Sequence, residues 1–524
     1  MFPFNLFSGK RRYSSARQNA GNKGVRPFMP EQSEGEEHPL DPDLSRNLEE
    51  VARRFPDWPD FIVFRFVSGS DQIPAALLYL DGLTDKKAIN DNILQPMMSS
   101  QQGNSPTRFP EPTIGDVRRA HNWQKLEYAI MTGDCVLLLD GCAHAVVYNT
   151  SGWPQRSITD PQLESSLKGA HQGFVETAAQ NLALLRRYLP NKELRIHKTI
   201  IGKRGKTTLF ILYLADVAHP DVLEELRSRL DKIDVDAVIN TGEVAEYIED
   251  NPFSPFPQFI LTERPDSAAS QLLQGRYVVI VDRSPSVIIA PSTFISLFQS
   301  VDDYSSRWMI ASFIRLLRFL AFFIALLLPA VYISFISYNY EVIPLQLFLS
   351  IAESRERVPF PPLLEAMLME IMLEMMREAG IRLPASVGQT IGIVGGIVVG
   401  QAAVQAGVVS NIMVIVVAST AIASFILPSY DMGTAVRLLR FPMMIMASLF
   451  GLVGIVIGFM TILIHLMSLE SLGTPYGSPL APVRWSDMKD TFVRFPLWSM
   501  VQRPKSARPI QDKRAGRGRP RGDG

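Results

Sequence analysis

The chain has 524 residues, with 52 basic and 52 acidic side chains, so its formal net charge is zero and no overall basic field argues for nucleic acid. Hydrophobic content of 47% is ordinary, but nearly all the long apolar runs lie after Trp308. Two cysteines, Cys135 and Cys142, make neither a disulfide framework nor a metal quartet and fit free thiols in a reducing compartment.

Residues 1–39 are rich in Gly, Ser, Pro and Glu and read as a disordered arm. MFPFNLFSGKRRYSSARQ is not patterned as a signal peptide, because its basic cluster follows a short apolar run. The region behind it is therefore expected in the cytosol. From 40 to 150 the pattern is α/β: DFIVFRFVS and AALLYLDG read as strands, TDKKAINDNIL and DVRRAHNWQKLEYAI as amphipathic helices. GDCVLLLDGCAHAVVYN reads as a hairpin turning at Asp140-Gly141.

The same order returns over 151–305. ELRIHKTIIGKR, KTTLFILYLAD and VDAVI are expected strands, HPDVLEELRSRL and TGEVAEYIE helices, and GRYVVIVDRSPSVIIA a second hairpin. Setting Gly133 against Gly275 aligns Val136–Asp140 with Val278–Asp282 without a gap, which argues for two related subdomains. GKRGKTT lacks the leading glycine of a phosphate loop and is flanked by strands, so it reads as a charged hairpin turn. The histidines have no ligand spacing, and neither a catalytic constellation nor a cofactor or metal site emerges; the chain does not read as an enzyme.

Residues 306–468 read as an α-helical, polytopic membrane domain. Arg307, Arg315 and Arg318 precede the apolar stretch Phe319–Ile336, which by the positive-inside rule enters from the cytosol. Ile343–Ala352 is too short to cross. Further spans are expected at about 387–409, 412–428 and 443–467, with a loop between Pro428 and Pro442. Four spans return the basic tail, 469–524, to the cytosol as a solvated segment, although RGRPRG also suits anionic lipid or nucleic acid. Arg437 and Arg440 are misfits, since this count places them outside.

Between these spans PFPPLLEAMLMEIMLEMMREAGIRLP places Glu370, Glu374, Arg377 and Glu378 on one helical stripe, with Glu365 pointing elsewhere. The stripe has two readings. Copies of the chain would pool these carboxylates into a cation-attracting ring, or the helix lies in the membrane surface with Arg377 paired to them. The next segment carries Gly388, Gly392, Gly396 and Gly400 at i+4 spacing, a ladder for close helix packing. Gln401 and Gln405 fall on another face and are further candidates for an ion path.

LSRNLEEVARRF, NPFSPFPQFILTERPD, RWMIASFIRLLRFLAFFIALLLPAVYIS, VPFPPLLEAMLMEIMLEMMREAGIRLP, GQTIGIVGGIVVGQAAVQAGVVS and LGTPYGSPLAP together resemble the A subunit of bacterial spore germinant receptors, the GerA family. The resemblance covers about Leu44 to Pro482. It implies a multi-pass protein of the spore inner membrane that forms homo-oligomers. It also implies two partners, a transporter-like B subunit that takes the nutrient and a lipoprotein C subunit. The implied activity is a nutrient-gated ion channel releasing cations early in germination. A related branch, the stage V sporulation AF type, implies an accessory channel instead. A ligand-sensing subunit that is not itself a pore, and a solute carrier working by alternating access, also stay open; the spans carry no convincing inverted repeat for the latter.

Overall fold

The computed structural model describes residues 39–56, 58–68, 72–99, 117–152, 164, 168–383 and 400–516. Gly388, Gly392, Gly396 and the RGRPRG segment lie outside the described residues.

Two five-stranded antiparallel sheets form the N-terminal region. The first has strands β1 (Phe61–Ser68), β2 (Ile73–Leu80), β3 (Val117–Ala120), β4 (Cys135–Leu139) and β5 (Ala145–Tyr148) in the order β1-β2-β4-β5-β3. The second has β6 (Leu194–Ile201), β7 (Thr207–Leu214), β8 (Ile260–Thr262), β9 (Tyr277–Val281) and β10 (Val287–Ala290) in the equivalent order β6-β7-β9-β10-β8. Strands β4, β5, β9 and β10 are buried along their whole length, which is why they read as continuous apolar runs.

The duplication extends to side-chain hydrogen bonds. Helices α1 (Leu44–Arg54) and α3 (Ala178–Tyr188) precede their respective sheets, with α2 (Trp123–Met131) between β3 and β4. Asp140 Oδ1 accepts from Leu44 N at 3.1 Å, and its counterpart Asp282 accepts from Ala178 N at 3.2 Å. Asn47 and Asn181 each bond both backbone groups of the residue six positions earlier. The two aspartates therefore do more than turn a hairpin: each satisfies an orphan N–H at a helix start. The two halves are joined by Arg186 of α3, whose Nε and Nη2 lie 2.5 and 2.9 Å from Asp60, with its guanidinium 3.9 Å from the Trp58 ring.

Two local expectations differ. Val117–Ala120 is an edge strand paired with β5 rather than the start of a helix. Asn122 adopts extended backbone and accepts from Lys125 N at 3.1 Å, so the helix begins only at Trp123. Nor is VDAVI a strand. Its carbonyls serve the β6–β7 turn instead: Val235 O takes Lys203 N, Asp236 O takes Arg204 N, and Val238 O takes the Thr207 hydroxyl. Helices α4 (Pro220–Asp231), α5 (Thr241–Ile248) and α6 (Pro265–Leu272) cover the second sheet.

The remainder is a helix bundle of α7 (Trp308–Ser337), α8 (Leu345–Arg355), α9 (Pro362–Arg382), α10 (Gly400–Gln405), α11 (Asn411–Ile426) and α12 (Tyr430–Ser468). Two of these, α7 and α12, are long and apolar enough to cross a membrane. The expected loop before Pro442 is absent from this region: Ser429 caps α12 by accepting from Met432 N, and the helix runs through Pro442. A packed bundle tolerates the lost proline N–H.

Helix α12 breaks instead at Gly451, with φ 60° and ψ −138°, a conformation closed to L side chains. Its two arms fold back on each other. A Cβ on Gly454 would overlap the Met446 carbonyl, and one on Gly458 would stand 2.6 Å from Met443 Sδ. Only glycines permit that approach. The break sits beside the end of α7, where Tyr338 OH donates to Ser448 O at 2.8 Å. The other end returns to the sheets, where Ser254 Oγ and His465 Nε2 are 2.8 Å apart.

After α12 the chain is folded rather than a solvated tail. Ser471 and Tyr476 hydrogen-bond Gln258 O and Pro257 O, and Arg503 Nε donates to Leu273 O at 2.8 Å. The C-terminal segment and the second sheet therefore share one side of the bundle.

Candidate functional site

Helix α9 runs lengthwise through the bundle, from the end remote from the sheets to the end beside them. Three contacts fix its direction. Near its start Glu365 meets Ser410, which in turn lies 3.3 Å from Tyr332 OH near the remote end of α7. Halfway along, Glu370 meets Arg440, whose Nε donates to Ala325 O in the middle of α7. Farther on, Arg377 reaches Ser424, which lies close to Gly433 in the first turn of α12.

Along this path each carboxylate faces a guanidinium. Glu365 is fully buried: Oε1 accepts from Ser410 N at 2.6 Å and Ser410 Oγ at 2.5 Å, and Oε2 lies 3.0 Å from Arg355 Nη1. Glu370, also buried, accepts from Arg440 Nη1 through Oε2. Glu374 lies 3.4 Å from Arg377 Nη1 and 3.3 Å from Arg437 Nε, with its side chain 44% exposed. Glu378 is exposed and takes two bonds from Arg382. In a low-dielectric bundle a buried carboxylate or guanidinium is tolerated only when paired and hydrogen-bonded, and this ladder supplies both.

The pairing is incomplete at its centre. Among the described residues, Glu370 Oε1 and Arg440 Nη2 have no hydrogen-bond partner although both are buried, and neither has Arg377 Nε. Such orphaned atoms at mid-bundle depth mark a place where water is favoured over hydrocarbon.

The structure therefore brings Glu370, Glu374 and Glu378 to one line, and adds to them residues that the helical wheel did not group. Glu365, assigned to another face, belongs to the same ladder through α8 and Ser410. Arg437 and Arg440 were visible as misfits of the positive-inside count; their charges are answered within the bundle by Glu374 and Glu370. Gln401 and Gln405 are exposed on α10 and are not joined to the ladder among the described residues. Gly400 is buried, and a Cβ there would stand in ordinary contact with Val414, 3.8 Å away. Of the other expected features, Cys135 and Cys142 are buried free thiols. GKRGKTT forms the turn between β6 and β7. No group of metal-ligating side chains occurs among the described residues.

The pattern of the Bacillus/Clostridium GerA spore germination protein family matches residues 49–506. The chain is 40% identical over 473 residues to spore germination protein KA of Bacillus subtilis (strain 168), covering 89% of this chain and 87% of that one. It is 38% identical to spore germination protein GerLA of Bacillus cereus, covering 88% and 96%. It is 38% identical also to the membrane protein YfkQ of Bacillus subtilis (strain 168), covering 91% and 94%. Among solved structures, the N-terminal domain of the A subunit of the Bacillus megaterium spore germinant receptor GerK3 aligns at 30% identity and a TM-score of 0.39, covering 49% of this chain and 98% of that one.

Proposed function

Since the chain belongs to the GerA family of spore germination proteins, we propose that it is a non-enzymatic, multi-pass A subunit of a germinant receptor whose helix bundle conducts cations. The observation that carries this reading is the acid–base ladder along α9, which spans the bundle from Glu365 to Glu378. A scaffold has no need of so many charges in lipid, where ionisable side chains mark ion or proton pathways. In this reading the guanidiniums hold the carboxylates neutralised in the closed state. Separating them, as by a shift of α9 against α12, exposes a row of negative charge that favours cations.

The proposal extends to topology. Helix α9, at roughly 1.5 Å per residue, is long enough to cross a core of about 30 Å, and each arm of α12 approaches that length. With α7, α11 and the segment joining α9 to α11, the chain would make six passes and return its C-terminal segment to the side of the sheets. That side is the cytosol, and the membrane is the spore inner membrane. A ring of identical subunits, with transporter-like and lipoprotein partners of the kind germinant receptors use, would complete the pore.

Ion flux into liposomes containing the purified protein, and single-channel recording of the double variant Glu374→Gln, Glu378→Gln, which spares the buried Glu370 pair, test the reading. Cation preference should fall while assembly persists. Unaltered conductance and selectivity in an assembled variant would overturn the assignment.

A further inference from the structure

A cavity of about 630 Å³ lies between the second sheet and the C-terminal segment. One wall is the turn from α6 into β9, carrying Arg276; another is a closed loop over 501–514, pinned by the backbone bonds Arg503 N to Asp512 O and Arg514 N to Val501 O. Five cations line it, Arg276, Lys489, Arg503, Lys513 and Arg514, against two carboxylates, Asp487 and Asp490.

The carboxylates are already occupied. Asp487 accepts from Ser506 N at 3.1 Å and Ser486 Oγ at 2.8 Å, while Asp490 takes Arg315 Nη1 and Tyr304 OH, each at 2.7 Å. Arg503 is likewise spent on Leu273 O, Gln511 and Lys513 O, and Arg514 Nε on Met500 O. Arg276 differs. It is 3% exposed, and among the described residues nothing accepts from its Nε or Nη1. A buried guanidinium without an acceptor is costly, and an oxyanion is the kind of group that would supply one. Burial also pushes its pKa down to about 10.

We propose that this cavity is a binding site for a small anion bearing a phosphate or carboxylate group, with Arg276 as its buried cation and the lysines and arginines of the C-terminal loop completing the neutralisation. The volume is that of a small-molecule site. Asp490 on its wall pairs with Arg315 at the start of α7, so the ligand would sit one ion pair away from the helix that enters the bundle. The site would thus report the bound anion to the membrane part, independently of the ladder on α9.

The test uses the full-length protein in neutral detergent, with inorganic phosphate as probe and chloride at equal ionic strength as control. Phosphate should raise the melting temperature in a saturable manner, and chloride should not. Arg276→Gln should weaken phosphate binding at least tenfold, and in phosphate-free buffer it should melt no lower than the parent, since it relieves an unpaired charge. Lys489→Gln, which leaves the buried wall intact, should weaken binding by a smaller factor. Vesicles containing phosphatidylglycerol, set against phosphatidylcholine alone, form the second arm. Competition by free phosphate for vesicle binding that depends on Arg276 would identify the source as a lipid headgroup, while phosphate stabilisation without it identifies a soluble anion. Absence of any phosphate effect in either arm, or an equal effect in Arg276→Gln, would overturn the proposal, and neither result would touch the channel reading.

Discussion

Glu370 and Arg440 stand 70 residues apart in the chain and meet halfway along the helix bundle, each buried and each keeping one polar atom unpartnered. An ion pair in such a place is weak evidence for stability, because desolvating both charges offsets most of their attraction.

Breaking one side of the pair should be costly. Glu370→Gln leaves Arg440 without its carboxylate and should destabilise the protein by about 3–5 kcal/mol. The double variant Glu370→Gln, Arg440→Met should recover most of that loss, because no charge is stranded. Thermal melts of all three forms in detergent measure it; additive losses would mean the two residues do not act as a pair.

The link between the two sheets carries a second expectation. Arg186 and Asp60 form a buried two-pronged pair between the halves. Asp60→Asn should cost about 3–5 kcal/mol and should separate denaturant unfolding of the sheet region into two steps. A single unshifted transition would show that other contacts couple the halves.

A pH dependence follows from Glu249, which closes α5 beside the bundle. Burial raises its carboxyl to about 7, against a backbone hydrogen bond near Gln258 that pulls the other way. Its ordinary value is 4.5, so between these limits the folded form holds a proton that the unfolded form releases. The stabilising contribution is complete below about 4.5, declines as pH rises toward 7, and is gone above it. Glu249→Gln should abolish this slope and be more stable than the parent at pH 8. Melting temperatures at pH 5 and pH 8 would reveal an unchanged slope if another group were responsible.

Gly451→Val forbids the turn between the arms of α12 in two ways, through its positive φ and through contact with Tyr338 Cβ, 3.0 Å from where its own Cβ would stand. The arms should splay or continue as one helix. A cysteine placed at Ser468 should then lose its position on the side shared with the sheets, read by labelling of sealed vesicles from either face. Unchanged labelling would mean the hairpin is held by packing alone.

Much of the sheet region was legible because its cues are local. Buried strands announce themselves as apolar runs, and the Gly133 and Gly275 alignment carried the duplication. What stayed hidden depended on distant partners: nothing near Val117 tells that β5 will claim it, or near Val235 that a turn will take its carbonyls. In the bundle, the stripe of Glu370, Glu374 and Glu378 was readable from helical spacing. Glu365 was not, because its role comes from Arg355 and Ser410 on other helices. The Gly451 break escaped since an isolated glycine within a long apolar run looks like any other packing glycine.

The loop over 501–514 also sets an order of events during synthesis. It closes upon Val217, Leu273 and the turn at Arg276, more than two hundred residues upstream, with every membrane helix threaded between. A nascent chain therefore displays that face bare until residues 501–514 leave the ribosome. A message truncated after the bundle would yield a subunit whose helices are inserted and whose second sheet stands permanently uncapped.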